Sequence, residues 1–183
     1  ALLDLKETDI IFPVHPRTIK TLKKLKLYEK LVQAEHIKLI KPVGYLDFLV
    51  LLSNSKLVIT DSGGIQEEAI TLNLPCITLR YNTERPETVA AGGNILVGTD
   101  KNRIIETVEE ILQDQKLYQS MSQAKNPYGN GRTSEKIVDI TLKSYKEDKL
   151  KITPPENISG LEGRFMERVD EEMDVAGFER KYP

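Results

Sequence analysis

The sequence of 183 residues contains a single cysteine, Cys76. One thiol excludes an internal disulfide, and it also excludes a zinc site built only from cysteines. A chain with so little cysteine is typical of a reducing compartment, so the sequence predicts a cytoplasmic protein.

Neither a basic excess nor a long apolar run is present. The 26 Lys and Arg residues against 28 Asp and Glu residues give a formal net charge of −2, whereas proteins that bind duplex nucleic acid normally carry a basic excess. The longest apolar run, at residues 48–52, is far shorter than the roughly 20 residues of a membrane span. We therefore predict neither a nucleic-acid partner nor a membrane partner.

An initiator methionine is also missing, and residues 1–6 do not resemble a signal peptide. A signal peptide would show a charged leader followed by a longer apolar stretch. We expect that the chain has been trimmed or is a piece of a longer protein.

Short apolar segments alternate with amphipathic helical segments along most of the chain. Because the apolar segments carry hydrophobic residues on both faces, they predict strands of a parallel sheet that helices cover on both sides. The predicted fold class is therefore α/β, with a doubly wound parallel sheet over residues 1 to about 124. The strands are expected at residues 10–14, 37–40, 56–60, 75–79 and 95–97.

Hydrophobic periodicity predicts several of the helices. Apolar residues recur every three or four positions over residues 18–34, which predicts one amphipathic helix. Residues 45–54 predict a mostly buried helix, and residues 65–72 predict a helix after the third strand. After a turn-rich break, Thr133 is expected to cap a helix that runs to about residue 145.

The last 38 residues differ from the rest in composition, with 7 basic and 10 acidic side chains. Within them, residues 153–155 indicate an extended linker, and Ser159 and Gly177 are expected to begin and end a helix. We predict one domain over residues 1–145. Residues 146–183 are predicted to form a charged linker and a C-terminal helical extension, which packs on this domain or on a partner.

The segment at residues 60–69 reads Thr-Asp-Ser-Gly-Gly-Ile-Gln-Glu-Glu-Ala and carries the first candidate site. It places two glycines between a strand and a helix, at the sheet edge where doubly wound folds bind ligands. Gly63 and Gly64 let a ligand approach the backbone, while the helix N-terminus and the Ser62 hydroxyl offer hydrogen bonds to a phosphate. The segment is neither a nucleotide P-loop nor a dinucleotide fingerprint, because the required lysine and glycine spacing are missing. Taken alone, it is equally typical of a simple glycine-rich turn.

Charged residues expected at the same edge extend this candidate site. Glu67 and Glu68 are expected in the first helical turn, where the helix dipole alone favours carboxylates, although either one fits a ribose diol. Arg85, within the Thr-Glu-Arg-Pro-Glu block at residues 83–87, fits a bidentate phosphate contact or an ion pair with a neighbouring glutamate. His15 follows the first strand, and a lone histidine is more often structural. No cluster of His, Asp and Glu has metal-ligand spacing, so neither a metal nor a cofactor is predicted.

Together these segments resemble the non-hydrolysing UDP-N-acetylglucosamine 2-epimerases. The block at residues 60–69 combined with the block at residues 83–87 is highly specific. Three further segments occur in the family order: Pro-Val-His-Pro at residues 13–16, Leu-Val-Gly-Thr-Asp at 96–100 and Asn-Pro-Tyr-Gly at 126–129. The resemblance covers about residues 10–145.

The resemblance implies a Rossmann-like domain that forms the second half of a glycosyltransferase-B (GT-B) architecture, in which the active site lies between two domains. The family's first domain, about as long again, is absent from the sequence. Full-length members often form homodimers, largely through that first domain. The implied protein partners are therefore the first domain and a second subunit of the longer protein.

The resemblance also implies roles for individual residues around a bound UDP. Ser62, Gly63 and Gly64 bind the diphosphate, and Glu68 holds the ribose hydroxyls. Arg85 reaches the phosphates and the cleft between the domains.

Two further positions receive roles in the same way. Phe48 is implied to lie against the nucleotide. His15 matches a position that, in bacterial members, contacts a second, regulatory UDP-N-acetylglucosamine.

The family reaction interconverts UDP-N-acetylglucosamine and UDP-N-acetylmannosamine. UDP is eliminated to leave 2-acetamidoglucal and adds back after the configuration at C2 has changed, which requires proton transfer at C2 and stabilisation of the departing diphosphate. The resemblance places the proton-transfer residues in the first domain. No catalytic residue is therefore assigned in this segment, and the 183 residues alone are expected to be inactive.

Two other functions stay open at this point. A GT-B glycosyltransferase shares the glycine-rich turn and the ribose-binding glutamate, but it does not normally carry the Thr-Glu-Arg-Pro-Glu block. A non-catalytic module would bind the nucleotide sugar without turnover. Formation of UDP-N-acetylmannosamine by the full-length protein separates the epimerase from both alternatives.

Overall fold

The structure, a computed structural model, describes residues 1–150, and strands alternate with helices along them. The strands are β1 (Ile10–Pro13), β2 (Ile37–Ile40), β3 (Val58–Thr60), β4 (Cys76–Thr78) and β5 (Asn94–Leu96). The helices are α1 (Pro16–Lys24), α2 (Tyr28–Gln33), α3 (Tyr45–Ser53), α4 (Gly63–Thr71), α5 (Pro86–Ala90), α6 (Lys101–Gln113), α7 (Gln115–Ser122) and α8 (Thr133–Lys146). The predicted α/β class is confirmed.

All strand pairs are parallel. β1 pairs with β2, and β4 lies between β3 and β5 in a three-stranded sheet. In that sheet Ile77 of β4 is the register partner of Ile59 in β3 and of Ile95 in β5. Because the three strands run in the same direction, their carboxyl ends meet at one edge, and the chain segments after β3, β4 and β5 all begin there.

The central strand β4 is covered on both faces. Ile77 is fully buried in a hydrophobic cluster that includes Ile111 of α6, whereas Cys76 packs in a second cluster with Leu52 of α3 and Ala69 of α4. Successive residues of a strand face opposite sides of the sheet. Helices therefore cover both faces, which is the predicted doubly wound arrangement. Burial in the second cluster raises the pKa of the Cys76 thiol to about 12.

The prediction of one helix over residues 18–34 is wrong, because the segment forms the two helices α1 and α2. Lys26 has a φ of 56°, in the left-handed region that ends helices. The backbone N–H of the preceding Leu25 bonds to the last turn of α1, and Leu27 caps α2. The apolar spacing on either side fits a helix, so periodicity alone does not reveal the break.

The prediction of a mostly buried helix over residues 45–54 is only partly correct. The helix forms as α3, but of its residues only Leu52 is fully buried, whereas Leu46 and Val50 are largely exposed. Phe48 and Leu49 pack against the second cluster from the same helix. The residues of α3 are themselves apolar on all sides of the helix. Its composition therefore predicts more burial than the fold provides.

The chain forms two compact units, with the boundary between Gly131 and Arg132. The first unit holds the five strands and α1–α7, and the described part of the second holds α8. Arg132 rather than Thr133 is the N-cap of α8, and it makes no side-chain capping hydrogen bond. The domain boundary at residues 145 and 146 stays a prediction, and the predicted helix over residues 159–177 lies outside the described residues. Within residues 1–150, every helix is too short or too polar to cross a membrane.

Candidate functional site

The segments that follow β3 and β4 come into contact at the carboxyl edge of the three-stranded sheet. α4 begins at Gly63, directly after its N-cap Ser62, and the segment after β4 carries Arg85, the N-cap of α5. A Cβ built on Gly63 would lie 4.0 Å from Cζ of Arg85. The guanidinium therefore sits beside the first turn of α4, and two segments predicted to share an edge contact each other.

The fold itself does not require glycine at positions 63 and 64. Neither Gly63 nor Gly64 has a positive φ. The nearest atoms to a Cβ built on them are Oε2 of Glu84 at 3.7 Å and Oγ of Ser62 at 4.0 Å, which are ordinary contact distances. Alanine would fit at either position and would favour the helix more than glycine does. The two glycines instead leave the N-terminal N–H groups of α4 open to an approaching group.

Ser62 is exposed, and its hydroxyl does not hydrogen-bond to the first turn of the helix. Serine is a common N-cap because its oxygen accepts a backbone N–H of the first turn, yet Ser62 makes no such hydrogen bond. Its own N–H donates to Oγ1 of Thr60 at 3.0 Å, which fixes the turn. The hydroxyl is thus held at the open end of α4.

Arg85 forms an ion pair with Glu67 of α4, in which its Nε donates to Oε1 of the carboxylate. This pair joins the two segments of the site, in contrast to the pairing with Glu84 or Glu87 weighed from the sequence. Glu84 instead accepts two hydrogen bonds from Arg80, at 2.8 and 2.9 Å. The side chains of Arg85 and Glu67 are 33% and 39% exposed, so solvent screens the pair and it adds little to stability. Its main effect is to fix the direction of the guanidinium.

Among residues 1–150, Oε2 of Glu68 is a buried carboxylate oxygen that finds no hydrogen-bond partner. Burial and the neighbouring Glu67 raise the pKa of Glu68 above its usual range. The expectation that both glutamates lie in the first turn is wrong, because α4 begins at Gly63 rather than at Ile65. The helix dipole acts mainly on the first turn, so it does not account for these carboxylates.

We expect Glu68→Gln to stabilise the chain at neutral pH. A raised native pKa means that the native state binds this proton more tightly than the unfolded state, so stability falls as the pH rises through the native pKa. The variant removes that loss, and its Tm should exceed that of the unaltered chain by about 2 °C above the native pKa. The difference should vanish below the unfolded pKa of about 4.3. Thermal unfolding across this pH range provides the measurement.

Glu67→Gln is the matched control, because it removes the same charge one residue earlier. It should lower the Tm or leave it unchanged, since Arg85 loses its partner. An equal rise in both variants would mean that general charge reduction, rather than the buried oxygen of Glu68, sets the effect.

The family model described as UDP-N-acetylglucosamine 2-epimerase matches residues 1–142. The chain belongs to this family.

Relatives and solved structures of the epimerase family agree with this assignment. The chain is 51% identical over 139 residues to the UDP-N-acetylglucosamine 2-epimerase of Methanocaldococcus jannaschii, covering 76% of this chain and 36% of that protein. A crystal structure of the M. jannaschii enzyme in complex with UDP-GlcNAc and UDP superposes with a TM-score of 0.67 at 50% identity, over 78% of this chain and 38% of that one. The enzyme from Neisseria meningitidis bound to UDP-GlcNAc gives a TM-score of 0.68 at 38% identity, over 78% and 39%.

The chain spans little more than a third of the length of these epimerases. Its fold is that of one Rossmann-like half of their GT-B architecture. This agrees with the resemblance to the second domain that the motifs indicate.

Two of the residues predicted for the epimerase site have other contacts among the described residues. Phe48 is half-buried on α3, against the cluster that contains Ala69 of α4. His15 is exposed and caps α1, where its Nδ1 accepts the Arg17 N–H at 3.2 Å. Within residues 1–150, no three His, Cys, Asp or Glu side chains are grouped as a metal site requires.

Two residues beside Arg85 were not singled out from the sequence. Gln66 is fully buried on α4 and hydrogen-bonds to Thr83. It stands three positions before Ala69 and on the same helix face. A polar residue on an otherwise apolar helix face is visible in the sequence and could have indicated its role. Tyr128 has a buried hydroxyl near the Glu87 carboxylate, and it makes no hydrogen bond of normal geometry within the described part of the chain. Burial and this carboxylate raise the pKa of Tyr128 to about 12.

Proposed function

We propose that this chain is the UDP-binding half of an enzyme that interconverts UDP-N-acetylglucosamine and UDP-N-acetylmannosamine. The observation that carries the proposal is the contact between Gly63 and Arg85 at the carboxyl edge of the sheet. The 50% identity to an enzyme crystallised with UDP-GlcNAc and UDP supports the choice of ligand.

The diphosphate is assigned to the open end of α4. Ser62, Gly63 and Gly64 supply backbone N–H groups and one hydroxyl, and the dipole of α4 favours negative charge there. Arg85 supplies a fixed positive charge beside Gly63. Glycine at both positions allows a phosphate to approach the backbone closely, which a side chain would prevent.

The nucleoside is assigned to residues further along the same elements. Glu68, a half-buried residue of α4, is proposed to hold the two hydroxyls of the ribose with its carboxylate. Phe48 packs against the cluster that includes Ala69 of α4 and is proposed to lie against the uridine. His15 is proposed to contact a second, regulatory UDP-N-acetylglucosamine.

The reaction divides between two kinds of chemistry. Elimination breaks the bond from C1 to the diphosphate oxygen and removes the proton at C2, which leaves 2-acetamidoglucal. Addition of UDP re-forms the bond to C1, while a proton is delivered to the opposite face of C2. This chain stabilises the negative charge of the departing diphosphate with Arg85 and the N-terminus of α4. We assign proton transfer to the first domain of the longer protein, and we expect a homodimer of that protein.

We expect this chain to bind UDP weakly, because half of the cleft supplies half of the contacts. The expected Kd is millimolar, which corresponds to a binding free energy of about −4 kcal/mol. Arg85→Ala should weaken UDP binding by at least about tenfold, the effect of losing one charge-assisted hydrogen bond. Ser62→Ala should weaken it by a smaller factor. Calorimetric titration with UDP provides the measurement.

Lys56→Ala is the control for the arginine variant. Lys56 is exposed before β3, at the opposite edge of the sheet, so UDP affinity should change less than about threefold. Saturable binding that Lys56→Ala and Arg85→Ala reduce equally would show that the net charge of the chain, not Arg85, attracts UDP. The absence of binding at millimolar UDP would refute a preformed site in this chain.

A further inference from the structure

A buried chain of uncharged hydrogen bonds runs beneath the candidate site. Gln66 has no exposed surface, and its Oε1 accepts from Oγ1 of Thr83 at 2.6 Å and from Nδ2 of Asn94 at 3.1 Å. Its Nε2 donates to the carbonyl oxygen of Ser62 at 3.3 Å. One side chain therefore links the turn that begins α4, the segment after β4 and the strand β5.

The same network ends on the backbone of Arg85. Oγ1 of Thr83 accepts the N–H of Arg85 at 3.0 Å. Oγ1 of Thr88 donates to the carbonyl oxygen of Arg85 at 2.8 Å and accepts from Nδ2 of Asn94 at 3.0 Å. The peptide groups on both sides of Arg85 are thus held by side chains that connect to Gln66.

Each threonine hydroxyl in the network can donate its hydrogen to only one partner. Thr83 must donate to Gln66, because it accepts from Arg85, and Thr88 must donate to Arg85, because it accepts from Asn94. Asn94 uses both hydrogens of its amide as donors, and its Oδ1 accepts from Thr78 at 2.7 Å. A buried network in which every side-chain polar atom has a partner rigidifies the groups that it joins.

We propose that Gln66 is a positioning residue that fixes the Arg85 backbone relative to the Ser62–Gly63 turn, so that both meet the same diphosphate. The proposal rests on the proposed function, because it assumes that the diphosphate binds between these two segments. The ion pair with Glu67 orients the guanidinium of Arg85, while the buried amide of Gln66 fixes the position of its backbone. Gln66 is fully buried, so it acts on the ligand only through Ser62 and Arg85.

Gln66→Met tests the proposal, because methionine is similar in length and flexibility but has no amide. Affinities for UDP and for uridine are measured by changes in amide chemical shifts, well below the melting temperature of each variant. We expect the Kd for UDP to rise by about tenfold and the Kd for uridine to change by less than about twofold, because only the diphosphate spans the two segments. A purely structural role would lower the melting temperature and leave both affinities unchanged, and that result would overturn the proposal.

Thr78→Val is the matched control. Thr78 is as buried as Gln66 and belongs to the same network. It donates a hydrogen bond to Asn94, however, and does not lie between Ser62 and Arg85. We expect it to lower the melting temperature with less than a twofold change in the affinity for UDP. Equal losses of UDP affinity in Thr78→Val and Gln66→Met would overturn the positioning role and leave the proposed function intact.

A second pair of variants covers the case in which Gln66→Met does not fold. Thr83→Val removes the hydroxyl between Gln66 and the Arg85 N–H, and Thr83→Ser restores it. The proposal requires weaker UDP binding in the valine variant and recovery in the serine variant, and equal affinities would refute it. If the unaltered chain fails to bind UDP at all, the proposed function fails and the positioning role falls with it.

Discussion

Gly64→Val is expected to reduce UDP binding by about a hundredfold or more while leaving the Tm unchanged or slightly higher. Gly64 is exposed in the first turn of α4, has an ordinary helical backbone and has no atom within 4 Å of an added Cβ except Oγ of Ser62 at 4.0 Å. A valine side chain therefore fits the fold, and most residues favour a helix more than glycine does. It occupies the space in which we place the diphosphate, so the phosphates lose their backbone contacts.

A graded series makes this result specific. Gly64→Ala should give an intermediate loss of UDP affinity, because its single methyl group blocks less space. Uridine, which has no phosphate, should bind both variants as it binds the unaltered chain. A fall in Tm along the series would show that the fold requires glycine, and unchanged UDP affinity would show that the phosphates do not approach this turn.

Ile77→Ala should have the largest effect on stability. Ile77 is 0% exposed at the centre of the middle strand β4 and packs in the cluster beneath α6. Removing the buried methyl and methylene groups is expected to lower the free energy of unfolding by about 3–4 kcal/mol, since the tightly packed site leaves a cavity. Ile77→Val should cost about 1 kcal/mol. Urea denaturation followed by circular dichroism provides the measurement.

Ile11→Ala serves as the control, because it makes the same change on an exposed strand residue. Ile11 is 52% exposed on β1, and its replacement should cost less than about 1 kcal/mol. Similar losses at the two positions would mean that strand propensity, rather than burial between the helix layers, determines the cost.

Much of the site could be predicted from the sequence, because parallel strands bring distant segments to one edge. Gly63 and Arg85 stand 22 positions apart, yet each follows a strand, and the neighbouring pairing of β3 and β4 brings them together. No contact had to be known in advance. The order of the strands along the chain and the binding of ligands at their carboxyl ends are enough to bring the two segments together.

The partners of the site residues could not be predicted in the same way. Glu67 pairs with Arg85 although the two residues come from different elements, α4 and the segment after β4. The choice among Glu67, Glu84 and Glu87 is made by tertiary geometry, and each has the same chemistry in the sequence. Periodicity gave similarly incomplete information about α1 and α2, where one left-handed residue, Lys26, divides a continuous apolar stripe.

Gln66 shows a different kind of omission. It occupies a core position of α4 together with Ala69 and Ile70. The apolar pattern predicts the buried face of the helix but assigns no role to the one polar residue on it. Its partners Thr83 and Asn94 come from other elements. Hydrogen bonding across elements leaves no periodic trace in the sequence, so only the structure shows that the three are joined.

The burial of the only cysteine makes this chain convenient for site-directed labelling. Cys76 lies in the core with a thiol pKa of about 12, and thiolates rather than thiols react with maleimides and related reagents. An introduced cysteine would therefore be the sole reactive thiol without any prior removal of Cys76. Asn82, exposed in the segment between β4 and Arg85, is a suitable attachment point for a fluorophore that reports ligand arrival in real time.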